Sequence, residues 1–143
     1  MEFDTTMQTL PVSEAESQYY LGDLVLHLNR TDAEEYLQKA ITLDPNLGVA
    51  QASMGMLRIR QGRFADAKQH LERAVTSSAQ NHMVHYYYAE ALSREAMDSN
   101  NVVHSFSPQS AKLMREHLKK SIALSPSFTE SYRLLAFVNT VTG

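Results

Sequence analysis

Apolar and small side chains recur at spacings of three and four along most of this chain, which is the period of amphipathic helices. Near its middle, Ala50, Met54 and Leu57 form one such stripe, and a second stripe begins at Phe64 after an interruption at Gly62. From end to end, the pattern predicts seven helices, at about 14–29, 32–43, 47–61, 64–77, 82–97, 108–124 and 128–141. The longest connection, the polar stretch 98–107, is expected to bulge from the stack as a mobile hairpin.

The chain also repeats itself, because the small and apolar positions of one helix pair return at a fixed interval in the next. Three positions show this: Ala33, Leu37 and Ala40 return 34 residues later as Ala67, Leu71 and Ala74. The next return comes 47 residues later, at Met114, Leu118 and Ser121, so the third unit holds a 13-residue insertion. The spacing predicts an N-terminal extension at 1–12 and a repeat domain at 13–143, with units at about 14–47, 48–81 and 82–128, the insertion near 98–107, and a terminal half unit at 129–142.

These residues resemble the tetratricopeptide repeat (TPR) family, whose 34-residue unit carries a Leu-Gly pair on its first helix, alanines on its second and a closing proline. The segments that carry the resemblance are Leu21-Gly22, the run from Gly62 to Ala67 and the run from Tyr36 to Pro45. The early tryptophan of the family unit is replaced in the four units by Gln18, Gln51, His85 and Tyr132. The resemblance implies an all-α fold, a right-handed α-solenoid of antiparallel helix pairs, with spacing similar to that of bacterial members.

A solenoid of this kind has a concave wall made mainly of the first helix of each pair, and ligands of the family usually lie there. Spacings of four and seven place on this wall Tyr19, Asp23 and Leu26; Ala52, Met56 and Ile59; Tyr86, Glu90 and Ser93; and Arg133, Phe137 and Thr140. Six of the seven tyrosines lie on first helices, and tyrosine offers wide apolar contact at low entropy cost. We therefore expect a protein-protein interaction scaffold that binds a peptide or partner protein on its concave face.

The resemblance disfavours one class of peptide. Some family members hold the C-terminal carboxylate of a chaperone peptide with lysines and asparagines on the first helices. The matching positions here are Tyr19, Asp23, Ser53, Met83 and Tyr87. None of them can donate a charged hydrogen bond to a carboxylate, so this carboxylate clamp is not expected.

The predicted last helix is apolar around most of its circumference, and such a helix needs burial on more than one side. Either a following helix is missing because the chain is part of a longer one, or this end packs against a second copy. We expect the isolated chain to self-associate into a homodimer through Leu134, Phe137, Val138 and Val141.

Composition narrows the classes of partner. The formal net charge is −3 with both signs interspersed, so there is no broad basic field for nucleic acid or anionic lipid. Cysteine is absent, which excludes disulfides and thiolate metal sites. No apolar stretch approaches the ~20 residues that a bilayer requires, and no secretory signal precedes the first predicted helix. We expect a cytoplasmic chain with no membrane contact.

No catalytic motif stands out. His82 and His85 share a predicted helix face, but two ligands do not make a zinc site, so we interpret both as solvated residues near a helix start. The His-Glu-x-x-His, Gly-x-Ser-x-Gly and phosphate-loop patterns do not occur. We expect no enzyme activity, no metal and no cofactor. The alternative function is an accessory or oligomerisation region of a larger enzyme, such as a peptidase, and the parent reading frame would distinguish the two.

Overall fold

The chain is all-helical over residues 12–142, the part that the computed structural model describes. Seven helices follow one another there: α1 (Glu14–His27), α2 (Ala33–Leu43), α3 (Gly48–Arg60), α4 (Phe64–Ser77), α5 (His82–Glu95), α6 (Pro108–Leu124) and α7 (Thr129–Thr142). The all-α prediction is confirmed, and every helix lies within two residues of its predicted bounds. The predicted N-terminal extension lies, except for Val12, outside the described residues. None of the described helices is long and apolar enough to cross a membrane.

Two glycines allow the helices of a pair to approach closely. A Cβ atom on Gly22 in α1 would lie 2.8 Å from Leu37 Cγ in α2, and one on Gly55 in α3 would lie 2.6 Å from Leu71 Cγ in α4. Both distances are below van der Waals contact, and both leucines are fully buried, so a larger residue would push the helices apart. Small residues at the repeat interval therefore set the spacing within these helix pairs.

The array of helix pairs curves because the first helices of the pairs pack against one another and the second helices do not. The first helices touch along the whole row, since α1 contacts α3, α3 contacts α5 and α5 contacts α7. The second helices α2, α4 and α6 make no such contacts with one another over the described range. A row whose members touch on one side and spread apart on the other is concave on the touching side. The inner surface is therefore built from α1, α3, α5 and α7, as expected for a TPR solenoid.

Buried side chains form two clusters along the array. The first lies between α1, α2 and α3 and includes Leu26 and Leu37. The second lies between α4, α5, α6 and α7 and includes Leu71, Leu118 and Val138. Each buried side chain of this size contributes about 1.5–3 kcal/mol to the free energy of unfolding. The fold thus depends on contacts between sequence neighbours and not on one central core.

The long connection between α5 and α6 does not simply project from the stack, in contrast to the prediction. The Asp98 carboxylate accepts hydrogen bonds from the backbone N–H groups of Asn100 and Val102, at 2.8 and 3.0 Å. Further along, Phe106 is only 9% exposed and meets the ring of Phe137 edge to face, with centroids 6.1 Å apart. The inserted residues are therefore tied at one end by a polar turn and at the other by an aromatic anchor in the second cluster.

The concave wall as a candidate binding site

The described structure places most of the predicted residues on the inner surface. Tyr19, Asp23, Met56, Ile59, Tyr86 and Glu90 are all half-buried there, and Arg133 and Phe137 are exposed on α7. We call this surface the concave wall. Two predicted members are wrong: Leu26 and Ser93, at 2% and 4% exposure, belong to the interior. Each first helix packs against the second helix of its own pair and against the neighbouring first helices. The face left open to the inner surface is therefore too narrow to include the third predicted position, seven residues after the first, on α1 and α5.

Asp23 joins α1 to α3. Its carboxylate accepts a hydrogen bond of 3.1 Å from the hydroxyl of Ser53, which lies on the neighbouring first helix. Burial, and then the negative charge of Asp23, raise the pKa of the nearby Tyr19 phenol, so this tyrosine stays a neutral hydroxyl at physiological pH. This end of the wall therefore offers one acidic group and one aromatic ring with a polar tip.

Aromatic rings dominate the wall at α5. Tyr86 meets both Tyr87 and Phe128 edge to face, with ring centroids 5.4 and 5.3 Å apart. Burial, followed by the charge of Glu90, raises the pKa of Tyr86 to about 12. Burial also raises the pKa of the Glu90 carboxyl, and Arg94, 3.6 Å away, opposes that rise. Glu90 is thus a weakly compensated acid on an apolar, aromatic floor.

A recess of about 330 Å³ lies in the wall between α3 and α5. We call it the α3–α5 recess, and it is lined by Met56, Ile59, Arg60, Tyr87, Glu90 and Arg94. Arg60 and Arg94 were not among the predicted wall residues, because each lies one residue beyond the last predicted position on its helix. Tyr87 was considered only as a position of the carboxylate clamp. The two arginines stand at equivalent places, 34 residues apart in the last turns of their helices, and that repetition was the available signal.

A larger recess, of about 730 Å³, lies away from the wall between α1 and α2. Its lining mixes acidic, amide and hydroxyl side chains with Lys39 and Leu43, and no aromatic ring contributes to it. It adjoins the start of the described chain. Size alone therefore does not identify the binding surface, and we assign this recess no role.

The end of the array at α7 differs from the prediction in one residue. Val138 is fully buried in the second cluster, so the prediction that it forms part of a self-association surface is wrong. Leu134 and Val141 are half-buried against the same cluster, and Phe137 is 39% exposed. An apolar surface at this end is thus centred on Phe137, while Arg133 pairs with Glu130 at 3.3 Å.

Three of the four residues that replace the family tryptophan form hydrogen bonds to the turns between repeats. Gln51 Nε2 donates to the Pro45 carbonyl at 2.9 Å, His85 Nε2 donates to the Ala79 carbonyl at 2.7 Å, and the Tyr132 hydroxyl donates to the Pro126 carbonyl at 3.0 Å. Each acceptor lies six residues before its donor. These side chains therefore connect the start of a first helix to the turn before it. Their hydrogen bonds were not predicted from the sequence.

Two histidines on second helices extend these contacts. His70 Nδ1 donates to the Gln51 Oε1 atom at 2.8 Å, and the Nδ1 atoms of His117 and His85 lie 2.8 Å apart. Because His85 Nε2 carries the proton given to Ala79, His117 Nδ1 is the donor to His85 Nδ1. The interpretation of His85 as solvated is wrong, since it is 1% exposed. No group of three metal-ligating side chains occurs within residues 12–142.

The comparisons with known proteins identify the repeats and the fold. Two tetratricopeptide repeat family models match the chain, one at residues 15–47 and the other at residues 53–98. Among solved structures, the first TPR of Spaghetti (RPAP3), bound to the HSP90 peptide SRMEEVD, superposes with a TM-score of 0.72. The alignment covers 89% of this chain and 91% of that chain at 16% sequence identity, a level at which the likeness concerns the fold. A search of curated protein sequences finds no match.

Proposed function

The chain belongs to the tetratricopeptide repeat family, and we propose that it is a protein-interaction scaffold that binds a peptide, or an extended segment of a partner protein, along the concave wall. The observation that carries this proposal is the packing of the first helices, which touch one another while the second helices spread apart. That packing creates an open, elongated inner surface. Half-buried aromatic and apolar side chains line it instead of a set of reactive groups.

The wall has the properties that favour peptide binding. Its tyrosines are already held by their neighbours, as the contacts of Tyr86 with Tyr87 and Phe128 illustrate. When a ligand covers these tyrosines, the protein loses little side-chain entropy, because the rings have few free torsions and are partly fixed before binding. The affinity then comes mainly from apolar area, and the few charged groups on the wall orient the ligand.

The test is selection of binders from a random peptide library on the immobilised chain, followed by fluorescence anisotropy with the selected peptides. The wall variant carries Tyr19→Ala and Tyr86→Ala. The control variant also loses two tyrosines, through Tyr36→Ala on α2 and Tyr132→Ala at the start of α7, where the Tyr132 hydroxyl bonds to the preceding turn. We expect the wall variant to bind at least about tenfold more weakly than the control, since truncating a central aromatic residue commonly costs 2 kcal/mol or more, about 30-fold. Undiminished binding by the wall variant, with both variants folded by circular dichroism, would refute the proposal.

Four further expectations remain predictions. Self-association through α7 is now restricted to Leu134, Phe137 and Val141, because Val138 is buried. The alternative function, an accessory repeat region of a larger enzyme, depends on the parent reading frame. A cytoplasmic location and a bacterial origin likewise rest on the sequence patterns alone.

A further inference from the structure

Positive charge in the α3–α5 recess is not fully compensated. Arg60 Nη1 donates to the Leu26 carbonyl at 3.1 Å, and the guanidinium has further N–H donors beyond the one that this bond uses. Arg60 forms no ion pair with any carboxylate of residues 12–142. Arg94 does have a partner, Glu90, but at 3.6 Å this contact is long for a charged hydrogen bond. With two arginines and one glutamate, the recess carries a local charge of +1 on a chain whose net charge is −3.

Tyr87 lines the same recess and carries a further donor. The Tyr87 hydroxyl makes no hydrogen bond within the described part of the chain, although its ring is packed against Tyr86. Arg60 lies close enough to lower the pKa of this phenol, against the larger upward effects of burial and Glu90. Tyr87 and Arg60 therefore line one small recess together with the apolar side chains of Met56 and Ile59.

We propose that the α3–α5 recess binds an aspartate or glutamate side chain within a partner peptide, with the apolar neighbour of that residue seated on Met56 and Ile59. The inference rests on the proposed function and adds the chemistry of the ligand. The ligand carboxylate accepts hydrogen bonds from the Arg60 guanidinium and the Tyr87 hydroxyl, and Arg94 adds positive charge at the rim. Because the acid is a side chain within the peptide, binding does not require a C-terminal carboxylate.

An acidic ligand fits the recess better than a basic one. A lysine or arginine entering it would approach two guanidinium groups, and the one carboxylate present, Glu90, is only 20% exposed and already faces Arg94. An acidic side chain instead supplies the ion-pair partner that Arg60 lacks. The net charge of −3 weakly repels an acidic peptide, so the attraction for the acid must come from the positive charge of the recess itself.

The test uses a random library of peptides of about twelve residues, which span up to ~40 Å when extended, with amidated C termini so that no terminal carboxylate is present. Peptides selected on the wild-type chain are sequenced, and each selected acidic peptide is remade with the amide in place of the acid. Their affinities are measured by fluorescence anisotropy for the wild type, for Arg60→Gln and Tyr87→Phe, and for the control Arg73→Gln. Arg73 is an exposed arginine on the second helix α4, away from the wall.

We expect the selected peptides to be enriched in an acid beside an apolar residue. Arg60→Gln should weaken their binding at least about tenfold, Tyr87→Phe severalfold, and Arg73→Gln not at all, because a hydrogen bond between charged groups contributes far more than a solvated surface charge. The amide peptide should bind the wild type at least as weakly as the acidic peptide binds Arg60→Gln, because it also loses the contributions of Tyr87 and Arg94. Arg60→Gln should then weaken binding of the amide peptide much less than it weakens binding of the acidic peptide.

Two results would overturn the inference in distinguishable ways. If the selected peptides show no acidic enrichment, or bind Arg60→Gln as well as wild type, while the Tyr19→Ala and Tyr86→Ala variant still loses binding, the recess chemistry is wrong and the proposed function stands. If no peptide is selected, or the wall variant binds undiminished, the proposed function fails and this inference fails with it.

Discussion

Acid should destabilise this protein through one buried histidine pair. His117 is 8% exposed, and burial, then the proximity of His85 and Lys120, lower its pKa to about 4, against an ordinary value of 6.5; Glu116 opposes this weakly. In the unfolded chain the imidazole regains the ordinary value, so the unfolded state binds the proton more tightly. The contribution of His117 to stability is therefore complete above about pH 6.5, and it is lost progressively as the pH falls toward 4.

The size of the effect follows from the two pKa values. Between about pH 7 and about pH 5, linkage gives a loss of about 2 kcal/mol in the free energy of unfolding from this one group. Geometry explains the loss, because His117 Nδ1 already donates to His85 Nδ1 and an added proton must charge an imidazole that is packed against the ring of Tyr88. Urea denaturation followed by circular dichroism at the two pH values measures it.

The matched variants separate this contribution from the titration of carboxylates. In His117→Gln the side-chain amide can still donate to His85 but cannot take up a proton, so the loss between the two pH values should shrink by about 2 kcal/mol. The control His27→Gln removes an exposed histidine on α1 and should leave the wild-type loss unchanged. Equal losses for wild type and His117→Gln would refute the reasoning.

Three other perturbations test the packing. Phe106→Ala should lower the free energy of unfolding by about 3–5 kcal/mol, as usual for a buried phenylalanine. Val102→Ala, in the exposed part of the same loop, should lower it by under about 0.5 kcal/mol. Similar urea midpoints for the two variants would contradict the claim that Phe106 anchors the loop. Gly55→Ala should lower stability by about 1–2 kcal/mol despite the better helix propensity of alanine, because its Cβ meets Leu71, and an increase would show that α3 and α4 can separate freely. Wild type should dimerise at micromolar concentration in light scattering and Phe137→Ser should remain monomeric; a monomeric wild type would end the self-association prediction.

The sequence predicted the helices well because their signals are local. Spacings of three and four, the glycine interruption at Gly62 and the 34-residue return of Ala33 and Leu37 at Ala67 and Leu71 all depend on neighbouring residues or on the repeat. Family resemblance then supplied the pairing of the helices. No tertiary distance was needed for either step.

The errors arise where a side chain depends on a distant partner. His85 was interpreted as solvated because His117, 32 residues away, lies beyond the inserted loop that disrupts the repeat. Leu26 and Val138 were placed on exposed surfaces because helix spacing gives a direction but not the width of the buried face. Arg60 was missed for the same reason, since it lies one residue beyond the assumed edge of the wall.

The most direct measurement of the central claim is the change in backbone amide NMR shifts when a selected peptide is added. We expect the large changes in α1, α3, α5 and α7, around Tyr19, Met56, Tyr86 and Phe137, while the amides of α2, α4 and α6 change little. Changes concentrated on the second helices, with the concave wall unaffected, would contradict that claim.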